Sequence, residues 1–159
     1  MAQDRDDAAY RAELEQAKHA STLQLLFRAA RLLDEEALRR VAAKPGRPRL
    51  RRAHTSLLPH IDLDGTRVTD LAERLGVTKQ AVSQLVADLE DLGVLERAAD
   101  PADARARLVR FTARGRAGLL DGLATLRELE AECAEVVGAR RMEELRRALV
   151  ALNDHLTDK

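Results

Sequence analysis

The first quarter of the chain is an uninterrupted run of helix-forming residues. Between Asp7 and Ala43 no proline or glycine occurs, and Ala, Leu, Glu and Arg dominate. Because these residues favour helix and the two helix breakers are missing, the run predicts one long amphipathic helix, straight or bent. It should end at Lys44–Pro48, where two prolines and a glycine favour a turn. A short helix is predicted next, over residues 50–58.

Aromatic residues are almost absent, which limits the kind of core the chain can build. Only Tyr10, Phe27 and Phe111 are aromatic, whereas Leu, Val and Ala are abundant. Such side chains pack readily as helix on helix, and 159 residues can bury a core without disulfides or a metal. We therefore predict a mainly α-helical single domain that needs no cofactor.

The cysteine content and the N-terminal sequence predict a cellular location. Cys133 is the only cysteine, so neither an intrachain disulfide nor a thiolate zinc cluster can form within one chain. The first ten residues are acidic and polar, and no apolar run is long enough to cross a bilayer. We expect a cytoplasmic protein with no membrane association.

Two short helices are predicted on either side of Gly76. Residues 69–75 form the first, with Thr69 as its N-cap, and Gly76 ends it. Thr78 caps the second, which extends to Leu92. The second helix has an apolar face and an opposite face that is polar and nearly uncharged. The apolar face carries Val82, Leu85, Val86, Leu89 and Leu92, and the polar face carries Gln80, Ser83, Gln84 and Ala87.

A β-hairpin is predicted after these helices. Two β-prone runs, Val94–Arg97 and Ala106–Phe111, flank an Asp-Pro-Ala-Asp segment, and we expect an extended loop at the tip. Thr112 then caps a long helix that ends before Gly138, and a final helix follows. Both helices have apolar stripes suited to another helix or to a second copy of the chain. The stripes are Leu119, Leu123, Leu126, Cys133 and Val137, then Met142, Leu145, Leu149, Leu152 and Leu156.

The helices around Gly76 have the spacing of a helix-turn-helix. Ala72 allows close approach of the two helices, and Gly76 accepts the turn geometry. Val82 and Leu85 hold the second helix in place, so its polar face would project into the major groove of DNA. No nucleophile with a positioned base and no phosphate-binding loop occurs, so the sequence does not predict an enzyme.

The distribution of charge keeps nucleic acid among the candidate partners. The chain has 27 basic and 27 acidic residues, and a net charge of zero at first argues against DNA. The cations are clustered, however. Residues 37–61 contain seven basic and no acidic residues, and residues 97–116 contain six basic and two acidic ones. Most are arginines, which form bidentate contacts with phosphates and guanine edges.

Residues 68–116 read VTDLAERLGVTKQAVSQLVADLEDLGVLERAADPADARARLVRFTARGR. This segment resembles the winged helix-turn-helix of the MarR family of bacterial transcription regulators. The resemblance rests on LAERLGVTKQAVSQLVADLEDLGVLER and on a pattern similar to the family's DxR…LTxxG wing signature, here Asp103-x-Arg105 and Phe111-Thr112-x-x-Gly115. It implies a mainly α fold with a small β wing. The parts would be an N-terminal dimerisation helix and basic loop (1–48), a DNA-binding lobe (49–116) and C-terminal dimerisation helices (117–159).

The resemblance makes residues 78–92 the recognition helix, and the chemistry of its polar face agrees. A glutamine can bind adenine N6 and N7 as a bidentate pair, a serine can bind a base or a phosphate, and Lys79 at a helix N-terminus suits a phosphate. Arg105 matches the family's wing arginine, with Asp103 as the acid that orients it. The expected DNA-binding residues are Thr78, Lys79, Gln80, Ser83, Gln84, Arg97, Asp103, Arg105 and Arg107, with Arg49 and Arg52 as flanking contacts or as solvated charges.

The resemblance further implies a homodimer that binds double-stranded DNA at a pseudo-palindromic operator, as a repressor released by a small apolar or phenolic effector. The expected dimer interface includes Leu14, Leu145, Leu149, Leu152 and Leu156. Candidate effector-pocket residues are His19, Phe27 and His54.

Three alternatives remain open. His60, Asp62 and Asp64 alternate along one loop and form either a metal site or an ordinary polar loop. Cys133 is either a core residue or a thiol sensor. If either site is real, the chain is a regulator that responds to metal or thiol chemistry. A separate alternative is a helical interaction adaptor that keeps the wing architecture without reading DNA.

Overall fold

The structure is a computed structural model. It describes the backbone of residues 2–157 and the side chains of residues 7, 10–103 and 105–157. The chain divides into two compact units, with the boundary between Glu36 and Ala37. No helix in the described range is both long enough and apolar enough to span a membrane.

The element order is that of a mainly helical chain with one small sheet, as predicted. A 3₁₀ turn at Leu58–His60 follows the third helix. The helices are α1 (Ala2–Ala20), α2 (Thr22–Ala43), α3 (Arg52–Leu57), α4 (Val68–Leu75), α5 (Lys79–Asp91), α6 (Ala113–Val137) and α7 (Ala139–Thr157), and the strands are β1 (Thr66–Arg67), β2 (Leu95–Asp100) and β3 (Asp103–Phe111).

The prediction of one continuous N-terminal helix is wrong at Ser21. The Ser21 hydroxyl accepts a hydrogen bond from the main-chain N–H of Gln24 at 3.3 Å, and the Ser21 carbonyl oxygen accepts one from Leu25 at 3.1 Å. Ser21 is therefore the N-cap of α2. The S-x-x-Q pattern at residues 21–24 is the sequence signal of this start, because serine side chains compete for the first free N–H groups of a helix.

The core of the second unit lies between α3, α4, α5 and the sheet. The strands are antiparallel in the order β1-β3-β2, and the helices pack their apolar faces against them. Full burial of one such side chain stabilises a protein by about 1.5 to 3 kcal/mol. Among the described residues, the fully buried apolar ones are Leu57, Leu71, Val82, Val86, Leu89, Leu95 and Val109.

Strand β1 was not predicted, and it moves the start of the next helix. Thr66 pairs with Val109 of β3, so the backbone stays extended as far as Arg67. Helix α4 then begins at Val68, with Arg67 at the N-cap position. Thr69, the predicted N-cap, lies in the first turn, where its hydroxyl donates to Asp70.

The β2–β3 hairpin is longer than predicted, and its tip is a tight turn instead of an extended loop. Asp100 and Asp103 face each other across the tip. The buried Asp100 carboxylate accepts from the Ala102 main-chain N–H at 2.8 Å and from Arg67 Nε at 2.8 Å. These two contacts hold the pKa of Asp100 below its ordinary value. They close the tip in the manner of an Asx turn.

Several predicted helix boundaries are confirmed. Thr78 Oγ1 accepts from the N–H of Ala81 at 3.2 Å, and Thr112 Oγ1 accepts from the N–H of Gly115 at 2.9 Å, so both threonines are N-caps. Gly76 has φ +64°, the left-handed conformation that favours glycine at a helix end. The helix predicted over 50–58 is shorter, because the chain passes into the 3₁₀ turn at Leu58.

The apolar stripes predicted on α6 and α7 lie largely open in the described chain. Helix α6 buries Thr125 and Leu129 instead of the predicted stripe. Cys133 is half-buried. The members of the two predicted stripes that stay exposed are Leu123, Leu126, Val137, Leu145, Leu152 and Leu156.

Candidate nucleic-acid interface

Helices α4 and α5 form a helix-turn-helix around Gly76. The small residue Ala72 is buried between them, and its carbonyl oxygen accepts from the N–H of Val77 at 3.1 Å. Val82 is fully buried and fixes the rotation of α5 about its own axis. These contacts hold α5 with its apolar face inward, as the sequence predicted.

The polar face of α5 points away from the core. Thr78, Lys79, Gln80 and Gln84 are exposed, and Ser83 is half-buried. Thr78, Lys79 and Gln80 lie at the first turn of the helix, where unpaired N–H groups give the helix its positive end, and Ser83 and Gln84 lie in the second turn. The structure therefore brings together the five residues predicted on this helix.

The wing arginines share one face of the β2–β3 hairpin. The register places Arg97 opposite Val109 and Ala99 opposite Arg107. Both arginines therefore lie on the same face of the hairpin as Val109, which is buried in the core at the base of the hairpin. Arg105 precedes Arg107 by two residues on β3 and lies on the same face. Arg97, Arg105 and Arg107 are all exposed. Arg97 Nε also donates to Glu90 Oε2 of α5 at 3.0 Å, which ties the wing to the recognition helix.

Asp103 does not orient the side chain of Arg105 as predicted. Its Oδ1 accepts from the main-chain N–H of Arg105 at 3.0 Å, and its Oδ2 lies 3.9 Å from an Arg67 nitrogen. Asp103 thus shapes the backbone at the start of β3. The expected contact between the two side chains is replaced by a contact to the backbone.

The basic block at residues 37–61 is partly neutralised within the chain. Three cations at the end of α2 and in the loop after it contact side chains of α6. The cations are four and three residues apart, and the residue numbers of their partners on α6 decrease in the same order. The two ion pairs leave less positive charge for DNA than the sequence predicted, whereas the hydrogen bond of Lys44 to a neutral hydroxyl leaves its charge in place. The pairs are Arg40–Glu132, with Nη1–Oε1 at 2.6 Å, Lys44–Thr125, with Nζ–Oγ1 at 2.9 Å, and Arg47–Asp121.

The two flanking arginines expected to contact DNA stay at the surface. Arg49 lies in the loop before α3 and is exposed. Arg52 is the first residue of α3 and is also exposed.

Asp88 of α5 is the centre of a polar cluster that the sequence did not predict. Gln84 Nε2 donates to Asp88 Oδ1 at 2.9 Å, and the Arg51 guanidinium donates to Oδ2. His54 Nε2 lies 3.4 Å from the same Oδ2. The hydrogen bonds from Gln84 and His54 lower the pKa of Asp88. The four-residue spacing of Gln84 and Asp88 was the available signal, since such pairs meet on a helix surface.

His54, a candidate effector-pocket residue, is buried in this cluster. Its side chain is 3% exposed, and its Nδ1 accepts from the main-chain N–H of Arg51 at 3.2 Å. Its Nε2 lies 3.2 Å from Arg51 Nη2 and 3.4 Å from Asp88 Oδ2. The other two pocket candidates, His19 and Phe27, lie exposed on the first unit.

The loop that could have bound a metal is hydrogen-bonded instead. Asp62 Oδ2 accepts from Arg74 at 3.0 Å and from Thr66 Oγ1 at 3.1 Å, and these contacts lower the pKa of Asp62. Among the residues whose side chains are described, no group of three His, Cys, Asp or Glu is placed to hold a metal ion.

The helix-turn-helix, the hairpin packed beside it and the exposed polar face of α5 define a winged helix-turn-helix protein. Residues 50–106 match the model of the MarR family. Over these residues the chain is similar to the MarR family of transcriptional regulators.

Solved structures of similar fold cover most of the chain. The repressor CouR bound to a 23-mer DNA duplex is 25% identical, with a TM-score of 0.61 over 84% of this chain and 92% of that one. CouR from Rhodococcus jostii RHA1 bound to p-coumaroyl-CoA is 24% identical, with a TM-score of 0.62 over 86% and 94%. The regulator BldR from Sulfolobus solfataricus is 27% identical, with a TM-score of 0.59 over 86% and 95%. A comparison with curated protein sequences finds no significant match.

Proposed function

We propose that the chain is a repressor that binds double-stranded DNA as a homodimer, with α5 in the major groove and the wing against the flanking backbone or minor groove. The observation that carries this proposal is the pairing of an exposed, polar, nearly uncharged face on α5 with three exposed arginines on one face of the wing. Uncharged amides and hydroxyls read base edges, whereas arginines neutralise phosphates. The DNA-bound structure of CouR supports the same assignment.

Each predicted DNA-binding residue has a role in this proposal. Gln80, Ser83 and Gln84 read bases, and Thr78 and Lys79 bind a phosphate at the N-terminus of α5. The wing cations bind phosphates or the minor groove, and Asp103 keeps the tip of the wing in shape. These cations are Arg97, Arg105 and Arg107, with Arg49 and Arg52 beside α3.

The dimer would form through the terminal parts of the chain, residues 1–48 and 117–159. Leu145 and Leu152 of α7 are 46% and 45% exposed, although large apolar side chains at this spacing normally face a partner helix. Residues 1–36 and 117–159 each have a net charge of −3, and this negative charge keeps the interface away from DNA. Leu14, Leu149 and Leu156 complete the proposed interface.

Two-fold symmetry fixes the form of the operator. Two recognition helices reach one side of the duplex when the half-site centres are about 10 base pairs apart or a multiple of that spacing. The operator is therefore an inverted repeat. The protein acts in the cytoplasm, where such DNA is accessible.

A small apolar or phenolic effector would release the repressor from DNA. The p-coumaroyl-CoA complex of CouR supports a ligand with a phenolic group, because the acyl part of that thioester is phenolic. Release requires that the effector bind the DNA-incompetent arrangement more tightly than the competent one. His19 and Phe27 remain candidates for the pocket, whereas His54 is already bonded to Asp88 and Arg51.

Selection of bound duplexes from a random pool tests this proposal. The wild-type chain should enrich an inverted repeat, and Gln80→Ala should change the base preferred at one position of each half-site. Arg141→Ala, which changes an exposed arginine on α7, is the control and should enrich the wild-type sequence. Failure of the wild-type chain to enrich any sequence would contradict the proposal.

A further inference from the structure

The amide of Gln84 is hydrogen-bonded within α5 in the DNA-free chain. Its Nε2 donates to Asp88 Oδ1 at 2.9 Å, one helical turn further along α5. If the amide turned over, its carbonyl oxygen would face the carboxylate, where two acceptors repel each other. The carboxylate of Asp88 therefore selects one of the two amide orientations.

Asp88 is itself held from the other side. Its Oδ2 accepts from the Arg51 guanidinium and lies 3.4 Å from His54 Nε2. The His54 side chain is 3% exposed and the Asp88 side chain 25%, so the carboxylate has little room to move. Arg51 and His54 thus hold the Asp88 carboxylate, and this carboxylate in turn holds the Gln84 amide.

We propose that Asp88 is a specificity-determining positioning residue, which presents the Gln84 amide for bidentate reading of adenine. This inference rests on the proposed function, in which Gln84 reads a base, because it states which base Gln84 reads. An amide nitrogen has two N–H groups. In this proposal the N–H that points away from Oε1 binds Asp88. The other N–H and Oε1 then stay available as the donor that matches adenine N7 and the acceptor that matches adenine N6.

A merely structural role for Asp88 predicts a different result. A carboxylate that only joins α3 to α5 would, when removed, lower stability and weaken binding to every sequence alike. A carboxylate that orients Gln84 would, when removed, change the relative binding of duplexes that differ at one base pair. The ratio of affinities therefore separates the two roles.

The experiment uses four duplexes of a selected operator that differ only at the base pair read by Gln84. That pair is the one at which Gln84→Ala loses its preference. The wild-type chain should favour adenine there by on the order of tenfold. Asp88→Asn should reduce this preference at least about threefold, because Arg51 would hold the asparagine oxygen and the asparagine NH2 group, which cannot accept, would face Gln84. In a Gln84→Ala background, Asp88→Asn should leave the ratios unchanged.

Asp91→Asn is the matched control, since it removes the same charge from an exposed position on the same helix. It should keep the wild-type preference. If circular dichroism shows that Asp88→Asn does not fold, Arg51→Ala is the second variant. Arg51 is 67% exposed, so its replacement should be tolerated, and the change removes one of the two contacts that hold Asp88. It should reduce the adenine preference in the same direction.

Two results would overturn the inference while the proposed function stands. One is equal weakening of all four duplexes by Asp88→Asn or, if that variant does not fold, by Arg51→Ala. The other is a wild-type preference for a base other than adenine at the Gln84 position. A wild-type chain with no sequence preference at all would instead contradict the proposed function, and the inference with it.

Discussion

Gly115 lies so close to Val94 that a Cβ built on Gly115 would come within 2.0 Å of the Val94 carbonyl oxygen. Beside this contact, Thr112 Oγ1 donates to the carbonyl oxygen of Gly93 at 2.7 Å and accepts from the N–H of Gly115. The start of α6 is thereby joined to the segment between α5 and β2. This junction is the physical reason for the T-x-x-G part of the wing signature.

Gly115→Ala should destabilise the chain by about 3 kcal/mol, because the added methyl group meets backbone that cannot move aside cheaply. Urea unfolding followed by circular dichroism measures the change. Gly122→Ala in the same helix is the control, since its Cβ would meet open space and alanine is the better helix former by up to about 1 kcal/mol. Equal effects of the two substitutions would show that the Val94 contact does not matter.

Arg105→Ala and Arg107→Ala should each weaken binding to all DNA sequences. Removing one phosphate-binding cation should lower the slope of log affinity against log salt by about 1. Fluorescence anisotropy over a salt series gives this slope. Arg110→Ala is the comparison on the same strand, and it should change the slope less because Arg110 Nε is already paired with Glu96 at 2.8 Å. A slope unchanged by Arg105→Ala and Arg107→Ala would remove the wing from the proposed interface.

Leu152→Lys should raise the dissociation constant of the dimer by at least about tenfold, since it places a charge in the proposed apolar interface. Sedimentation velocity over a range of protein concentrations measures the effect. Ala151→Lys adds the same charge at an exposed neighbour about 100° around α7 from Leu152 and outside the apolar stripe, and it should leave the dimer intact. If both variants stay dimeric at the same concentrations, the interface lies elsewhere.

Acid should destabilise the chain partly through Asp100. Its pKa is lowered in the folded state by the Ala102 N–H and by Arg67. A lowered folded pKa means that the stabilisation is present above the ordinary aspartate pKa of about 3.9 and is lost as pH falls through the folded value. Asp100→Asn should therefore flatten the fall in unfolding free energy between about pH 5 and pH 2. Asp64→Asn, at an exposed loop position, should leave that curve unchanged.

Local signals were sufficient to predict most helix boundaries and the reading face of α5. The helix-capping contacts of Thr78, Gly76 and Thr112 lie within four residues, so these helix boundaries can be read from a short window of sequence. The polar face of α5 follows from helical periodicity alone. Ser21 was readable in the same way, because its S-x-x-Q pattern is local.

Features that depend on distant partners were not predictable. Strand β1 exists only because Thr66 pairs with Val109, and two residues alone have no strand pattern. The sequence predicted more positive charge available to DNA in the basic block than the structure leaves there. The reason is that Arg47 pairs with Asp121 only after α6 has packed. The orientation of Gln84 likewise depends on a carboxylate that residues far away in sequence hold in place.

The most direct test is binding of the wild-type chain to a selected operator and to a scrambled duplex of the same composition. We expect two chains per operator and an affinity at least about a thousandfold above that for the scrambled duplex at physiological salt. Inserting five base pairs between the half-sites should abolish most of that advantage, because the two recognition helices would then face opposite sides of the duplex. Equal affinity for operator and scrambled duplex would contradict the account.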